Sequence, residues 1–164
     1  MNKAELIHLI LEQLQLELDG ALHASQQAHE LATHSESKAE NKYDTRGLEA
    51  AYLAHGLSQR AQELQQSIVD FRQLLPLAGA QSQNDPDHIQ IGALVMLEDE
   101  DEKKRWFFLG PQAGGLKLQW QGRDITIISP TAPLGQALSG QQLDDEVRLT
   151  INGKHTQYLI CEII

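Results

Sequence analysis

Two stripes of apolar residues, spaced by threes and fours, flank one short and densely charged stretch, and this leaves the first half of the chain little choice of fold. Ile7, Leu11, Leu14, Leu18, Ala21, Ser25, Ala28 and Ala32 make the first stripe; Leu53, Leu57, Ala61, Leu64, Ile68, Phe71 and Leu75 make the second. Such spacing gives the narrow seam of a coiled coil rather than the broad face of a globular helix. Two helices joined through residues 35–44 are therefore expected to fold back as an antiparallel hairpin, with arms roughly 45 Å long at about 1.5 Å per residue. The seam is Leu- and Ile-rich near its base, whereas Ala21, Ser25, Ala28 and Ala32 approach the reversal. Small seam residues bring the helices close but bury less apolar area, so the far end is expected to be slender and less stable.

The charged stretch Ser35-Glu36-Ser37-Lys38-Ala39-Glu40-Asn41-Lys42-Tyr43-Asp44 supports two readings. In one, Glu36, Glu40 and Asp44 sit at the end of a thin rod, where acids reach sites closed to a globule. In the other, Ser37 and Glu40 form a capping box that starts the second helix, and the alternation of Lys38, Lys42 and Arg46 with the acids is an ordinary solvated surface. Gly47 weakens any helix passing through it and marks the end of the reversal.

Thirteen basic against twenty-three acidic residues give a formal charge of −10. Unaided nucleic-acid binding needs a concentrated positive face and is disfavoured. The single cysteine, Cys161, cannot form an internal disulfide; it fits a reducing compartment and the role of a buried strand thiol. No run approaches the roughly 20 apolar residues needed to span a bilayer, so the expected location is cytoplasmic, without membrane contact. The seven histidines lack zinc-site spacing and read as surface residues.

After Leu74-Leu75-Pro76 the composition turns small and polar, which places a hairpin over residues 1–76, a linker over 77–87 and a second domain over 88–164. In that domain Ile89 to Leu97, Arg105 to Leu109, Leu116 to Trp120, Ile125 to Ile128, Val147 to Ile151 and Thr156 to Ile164 read as strands. The acidic run Glu98 to Glu102 reads as a turn, Pro130 to Leu138 has room for one short helix, and Asn152-Gly153 is a hairpin signal. The fold class expected is α+β: a coiled-coil hairpin followed by a small antiparallel sheet domain with one short helix.

Four segments of this second domain carry a resemblance: Ile91-Gly92-Ala93-Leu94-Val95, Phe108-Leu109-Gly110-Pro111, Ile128-Ser129-Pro130-Thr131-Ala132-Pro133-Leu134-Gly135-Gln136-Ala137-Leu138-Ser139-Gly140, and Asp144-Asp145-Glu146-Val147. In type and order they resemble the GreA/GreB family of bacterial transcription elongation factors. The resemblance implies an FKBP-like second domain that docks at the rim of the RNA polymerase secondary channel, and a hairpin that enters the channel and presents its acids to the catalytic Mg²⁺. It implies no cofactor in the free protein, the Mg²⁺ being supplied by the polymerase, with Glu36 and Glu40 meeting metal only inside that complex. RNA polymerase is the implied partner, transcript RNA and DNA are met only through the elongation complex, and the factor is expected to be a monomer. Carboxylates suit Mg²⁺ because it takes hard oxygen ligands and shares its shell with water and phosphate oxygens. An added acid there helps position an ion and an attacking water for transcript cleavage.

The family's tip pattern is Asp, two residues, then Glu-Asn; Glu40-Asn41 matches, but position 37 is Ser and the nearest acid, Glu36, is one residue early. On a helix Glu36 and Glu40 would share a face; in a loop the offset would separate them. Two functional modes stay open: stimulation of cleavage, and channel blocking without cleavage. The chain is not itself expected to be an enzyme. A peptidyl-prolyl isomerase would be the reading from another class, and would need Trp106, Phe107, Phe108, Trp120 and Tyr158 to line a pocket rather than a core.

Overall fold

The computed structural model of the chain describes residues 2–33, 46–79, 88–151 and 153–164. Its elements are α1 (Lys3–Thr33), α2 (Arg46–Gly79), β1 (Leu94–Asp99), β2 (Lys104–Leu109), β3 (Lys117–Trp120), β4 (Arg123–Ile128), α3 (Pro133–Leu138), β5 (Glu146–Ile151) and β6 (Lys154–Ile163). The α+β class expected from the sequence is the class observed. Contacts divide the chain into two compact units, one of Met1–Ile10 with Asp70–Ile164 and the other of Leu11–Val69.

The second unit is an antiparallel helix pair. Asn2 starts α1 by accepting the Ala4 N–H on its side-chain oxygen at 3.2 Å, a side-chain cap of the usual kind. The register is fixed by Arg60, which donates to Glu17 at 3.2 Å, and by Ser25 Oγ, which lies 3.2 Å from the Ala54 carbonyl and 2.8 Å from Ser58 Oγ. Leu14, Leu18, Ala28, Ala61, Leu64 and Ile68 are buried, as the stripes predict. Leu53 is not: it is 58% exposed, and Ala54 at 8% takes the seam position. The reason is angular. Stepping back four residues from Ala61 to Leu57 and four again to Leu53 drifts off the seam by about 80°, whereas a step of four then three returns to it.

The sheet in the first unit has the strand order β3-β4-β2-β1-β6-β5. All pairs are antiparallel except β2 with β4, which run parallel because β3 lies outside β4 and returns the chain beside β2. β1 begins at Leu94 rather than at Ile89: Gly92 adopts φ 93, a left-handed conformation that makes a turn of residues 91–92 and leaves Ile91 43% exposed. Pairing splits the strands' side chains cleanly between two faces. One face holds Val95, Leu97, Phe107, Leu109, Ile128, Val147 and Ile160, closed by Leu138 of α3 and by Ile89 and Ala93. The other holds Leu94, Phe108, Ile125 and Ile127, all with 0% exposure. Phe71 of α2 stacks on Phe108 at 6.3 Å between ring centroids. Leu6, Ile7 and Ile10 of α1 and Phe71 and Leu74 of α2 are the buried residues that the two long helices contribute to this unit.

Two details of the sheet depart from simple alternation. The register of β6 against β1 shifts between Met96 and Leu97, so that Met96 faces Glu162, Leu97 faces Ile160 and Cys161 is the extra residue of a bulge. Cys161 is therefore half-buried rather than a core thiol, with burial and the neighbouring Glu98 carboxylate pushing its thiol pKa up. In the β1–β2 turn, Asp99 accepts the backbone N–H groups of Lys103 and Asp101 and a charged bond from Arg105 at 2.7 Å.

Those bonds, that from the Lys103 N–H first, hold the Asp99 carboxyl below its ordinary value of 3.8. A depressed folded-state pKa means the stabilisation is fully present above the unfolded value and is lost as pH falls through the folded one. Asp99→Asn should therefore melt below the parent at pH 7, and the gap should shrink progressively as the pH is taken below the ordinary value of 3.8. A gap that stays constant over that range would show that the carboxylate charge contributes nothing to the turn.

Candidate functional site

Backbone bonds join the first three family-like segments, Gly92 N–H donating to the Leu109 carbonyl at 2.7 Å, and the fourth is held against β6. Ile89 N–H donates to the Gln141 carbonyl at 2.8 Å, and Gly140 N–H returns a bond to the Ile89 carbonyl at 2.9 Å. Gly110 N–H donates to Ile128 O at 2.9 Å, which joins the Phe108–Pro111 segment to the start of the Ser129 string. Asp144 N–H donates to Ile160 O and Ile160 N–H to Asp145 O, both at 3.0 Å.

The Ser129–Gly140 string is closely constrained. Pro133 begins α3, where a missing N–H costs nothing. A Cβ placed on Gly135 would lie 2.0 Å from the Ser129 carbonyl oxygen, so only glycine permits this return of the chain. Ser139 closes the helix by donating from Oγ to Gly135 O at 2.8 Å. Before the helix, Ser129 Oγ and Thr131 Oγ1 are 3.1 Å apart, and Gln136 Nε2 donates to the Thr131 carbonyl at 3.1 Å. Leu138 is fully buried while Thr131, Pro133, Gln136 and Ser139 face outward. The result is a closely hydrogen-bonded, uncharged turn-and-helix surface.

The acidic string that follows is built by its own side chain. Gln142 N–H donates to the Asp145 carboxylate at 2.8 Å, while Asp145 N–H donates to the Gln142 carbonyl at 3.3 Å. Leu143, enclosed in this turn, is 51% exposed. Ile91 and Leu143 are exposed apolar residues that strand periodicity did not single out; the positive φ of Gly92 and the Asp145 turn were the local signals for them.

Glu36, Glu40 and Asp44 lie outside the described residues, as do Ser37 and the capping box built on it. Among the described residues no cluster of three or more His, Cys, Asp or Glu side chains is arranged to hold a metal ion. No described helix is long and apolar enough to cross a membrane. The aromatic residues that an isomerase pocket would draw on are spent elsewhere. Phe107 and Phe108 are buried on opposite faces, Trp120 donates its indole N–H to Glu5 at 3.1 Å, and Trp106 lies 4.6 Å beneath the Arg123 guanidinium.

Residues 83–164 match the family described as "Transcription elongation factor, GreA/GreB, C-term". The chain is 36% identical over 78 residues to the transcription elongation factor GreA of Sphingopyxis alaskensis, which is 47% of this chain and 45% of that protein. It is also 36% identical over 80 residues to the transcription elongation factor GreB of Pseudomonas aeruginosa, 48% of this chain and 44% of that one. The chain thus matches about half the length of these relatives. Among solved structures, the GreA factor homolog 1 of Thermus thermophilus is similar over 94% of both chains at 20% identity, with a TM-score of 0.38. A GreA/GreB factor from Nitrosomonas europaea covers 71% of this chain and 93% of its own at 22% identity, also with a TM-score of 0.38. With residues 83–164, half of its length, fitting the family's C-terminal part, the chain belongs to the GreA/GreB family of transcription elongation factors.

Proposed function

We propose that this protein is an elongation regulator that docks on RNA polymerase through the surface around Ser129–Gly140 and works through the polymerase active site rather than one of its own. The observation that carries this reading is the match of residues 83–164 to the family's C-terminal part, together with the outward-facing and rigidly tied Thr131, Pro133, Gln136 and Ser139 within the matched region. A surface fixed before binding loses little conformational entropy on docking. The helical hairpin then delivers Glu36, Glu40 and Asp44 to the secondary channel, where the Mg²⁺ belongs to the polymerase. That ion supplies polarisation of the phosphate and activation of water; the chain's own contribution is a carboxylate beside it.

Transcript cleavage in a stalled, backtracked elongation complex tests the mode of action. If the acids act, the intact chain accelerates cleavage, and Glu36→Ala with Glu40→Ala removes the acceleration while leaving folding and polymerase binding largely intact, since loss of a cap costs only about 1 kcal/mol of stability. Slower elongation by the intact chain with no cleavage would instead identify the channel-blocking mode. Loss of binding in the double variant would show that these acids serve structure or docking.

A further inference from the structure

We propose that Gly20 of α1 and Gly56 of α2 form a paired hinge, about which the distal part of the hairpin (residues 21–33 and 46–55) bends and opens relative to the proximal part (11–19 and 57–69). The inference is independent of the polymerase reading. Glycine inside a helix normally answers a steric demand, and neither of these does. A Cβ built on Gly20 or on Gly56 meets nothing within 4 Å. Both residues lie on the exposed surface and inside continuous helix, so neither a close approach nor a left-handed backbone requires them. What remains is their local effect: each lowers the helix equilibrium about five-fold relative to alanine.

Their placement makes the two weaknesses act together. The Glu17–Arg60 ion pair and the Ser25 bonds to Ala54 and Ser58 fix the register, which puts Gly20 and Gly56 within about one helical turn of each other along the axis. A single weak helix would be splinted by its partner; two weak points at one level are not. The seam changes at the same level. Below it Leu14, Leu18, Leu64 and Ile68 are buried beside the small Ala61, whereas above it the buried seam residues are Ala28 and Ala54. Ser25 is half-buried, and it has both the Ala54 carbonyl and the Ser58 hydroxyl within reach, so small displacements can exchange one partner for the other. Beyond it an open groove lies between the helices, bordered by His29, Ala32, Ala51 and His55. Little apolar contact therefore opposes opening on the distal side.

Hydrogen exchange of the intact chain, read by mass spectrometry, compares the parent with Gly20→Ala/Gly56→Ala. Both substitutions are sterically free, so the double variant should fold. The hinge predicts slower exchange across all distal amides, about five-fold for each glycine replaced, with proximal amides unchanged. Slowing confined to the turn around each new alanine, slowing spread evenly over the hairpin, or no change would each overturn it. A second measurement uses spin labels at Glu12→Cys and Gln27→Cys in a Cys161→Ser background. The distance distribution should narrow on replacing the glycines, and an equally narrow distribution in the parent would contradict the hinge.

Discussion

Phe71→Ala is expected to destabilise the protein by about 3–5 kcal/mol, the range for a buried aromatic that leaves a cavity. Phe71 is 0% exposed, it stacks on Phe108 with an interplanar angle of 25°, and its Cζ would stand 2.7 Å from a Cβ on Gly110. The ring therefore fills the space that the absence of a side chain at 110 creates. Neighbours cannot close the gap, because Phe108 and Ile127 are held in the sheet register. Urea denaturation should show the lowered midpoint, and Phe71→Leu should recover part of it. A loss below about 1 kcal/mol for the alanine variant would mean that the helical residues 70–79 are not an essential layer of the first unit.

Gly135→Ala is expected to have a comparably large effect by the opposite route. The added methyl would sit 2.0 Å from the Ser129 carbonyl oxygen, 2.9 Å from the Ser129 carbonyl carbon and 3.2 Å from Pro130 Cα. These are backbone atoms and cannot swing aside as a flexible side chain would. Relief requires moving the Ser129–Pro130 segment, at a cost of roughly 3 kcal/mol. The same movement would break the Ser139 bond to Gly135 O and displace the surface formed by Thr131 and Gln136. Thermal melting and polymerase affinity should both fall. A variant with unchanged melting and unchanged affinity would show that the string is neither tightly built nor part of the docking face.

Much of this architecture is legible in the sequence because it rests on local, periodic signals. The seams from Ile7 to Ala32 and from Leu57 to Leu75 repeat at helical spacing, and the strands from Arg105 onward are short β-rich runs between turn residues. Misreadings arose where one residue changes the geometry. Leu53 is apolar and at a plausible step from Leu57, yet the alternation of fours and threes gives the seam to Ala54. Ile89 to Ala93 has strand composition, yet Gly92 at φ 93 delays β1 to Leu94. The extra residue at Cys161 leaves no compositional mark, since a bulge is defined by its partner strand. Contacts between distant parts of the chain were the least readable: nothing local to Glu5 or Trp120 announces the bond between them across 115 positions. The Ser129–Gly140 string stood out through its resemblance to the family, and its glycine, proline and serine prove to answer specific backbone needs at Gly135, Pro133 and Ser139. The tip acids rest on spacing and resemblance alone.

The proposed docking on RNA polymerase is tested most directly by binding in competition with GreA. Fluorescence anisotropy of the intact chain, labelled at its N-terminus and titrated with RNA polymerase, measures this directly when repeated with unlabelled GreA as competitor. Saturable binding that GreA displaces fully is expected. Absence of binding, or binding that saturating GreA leaves unchanged, would contradict it.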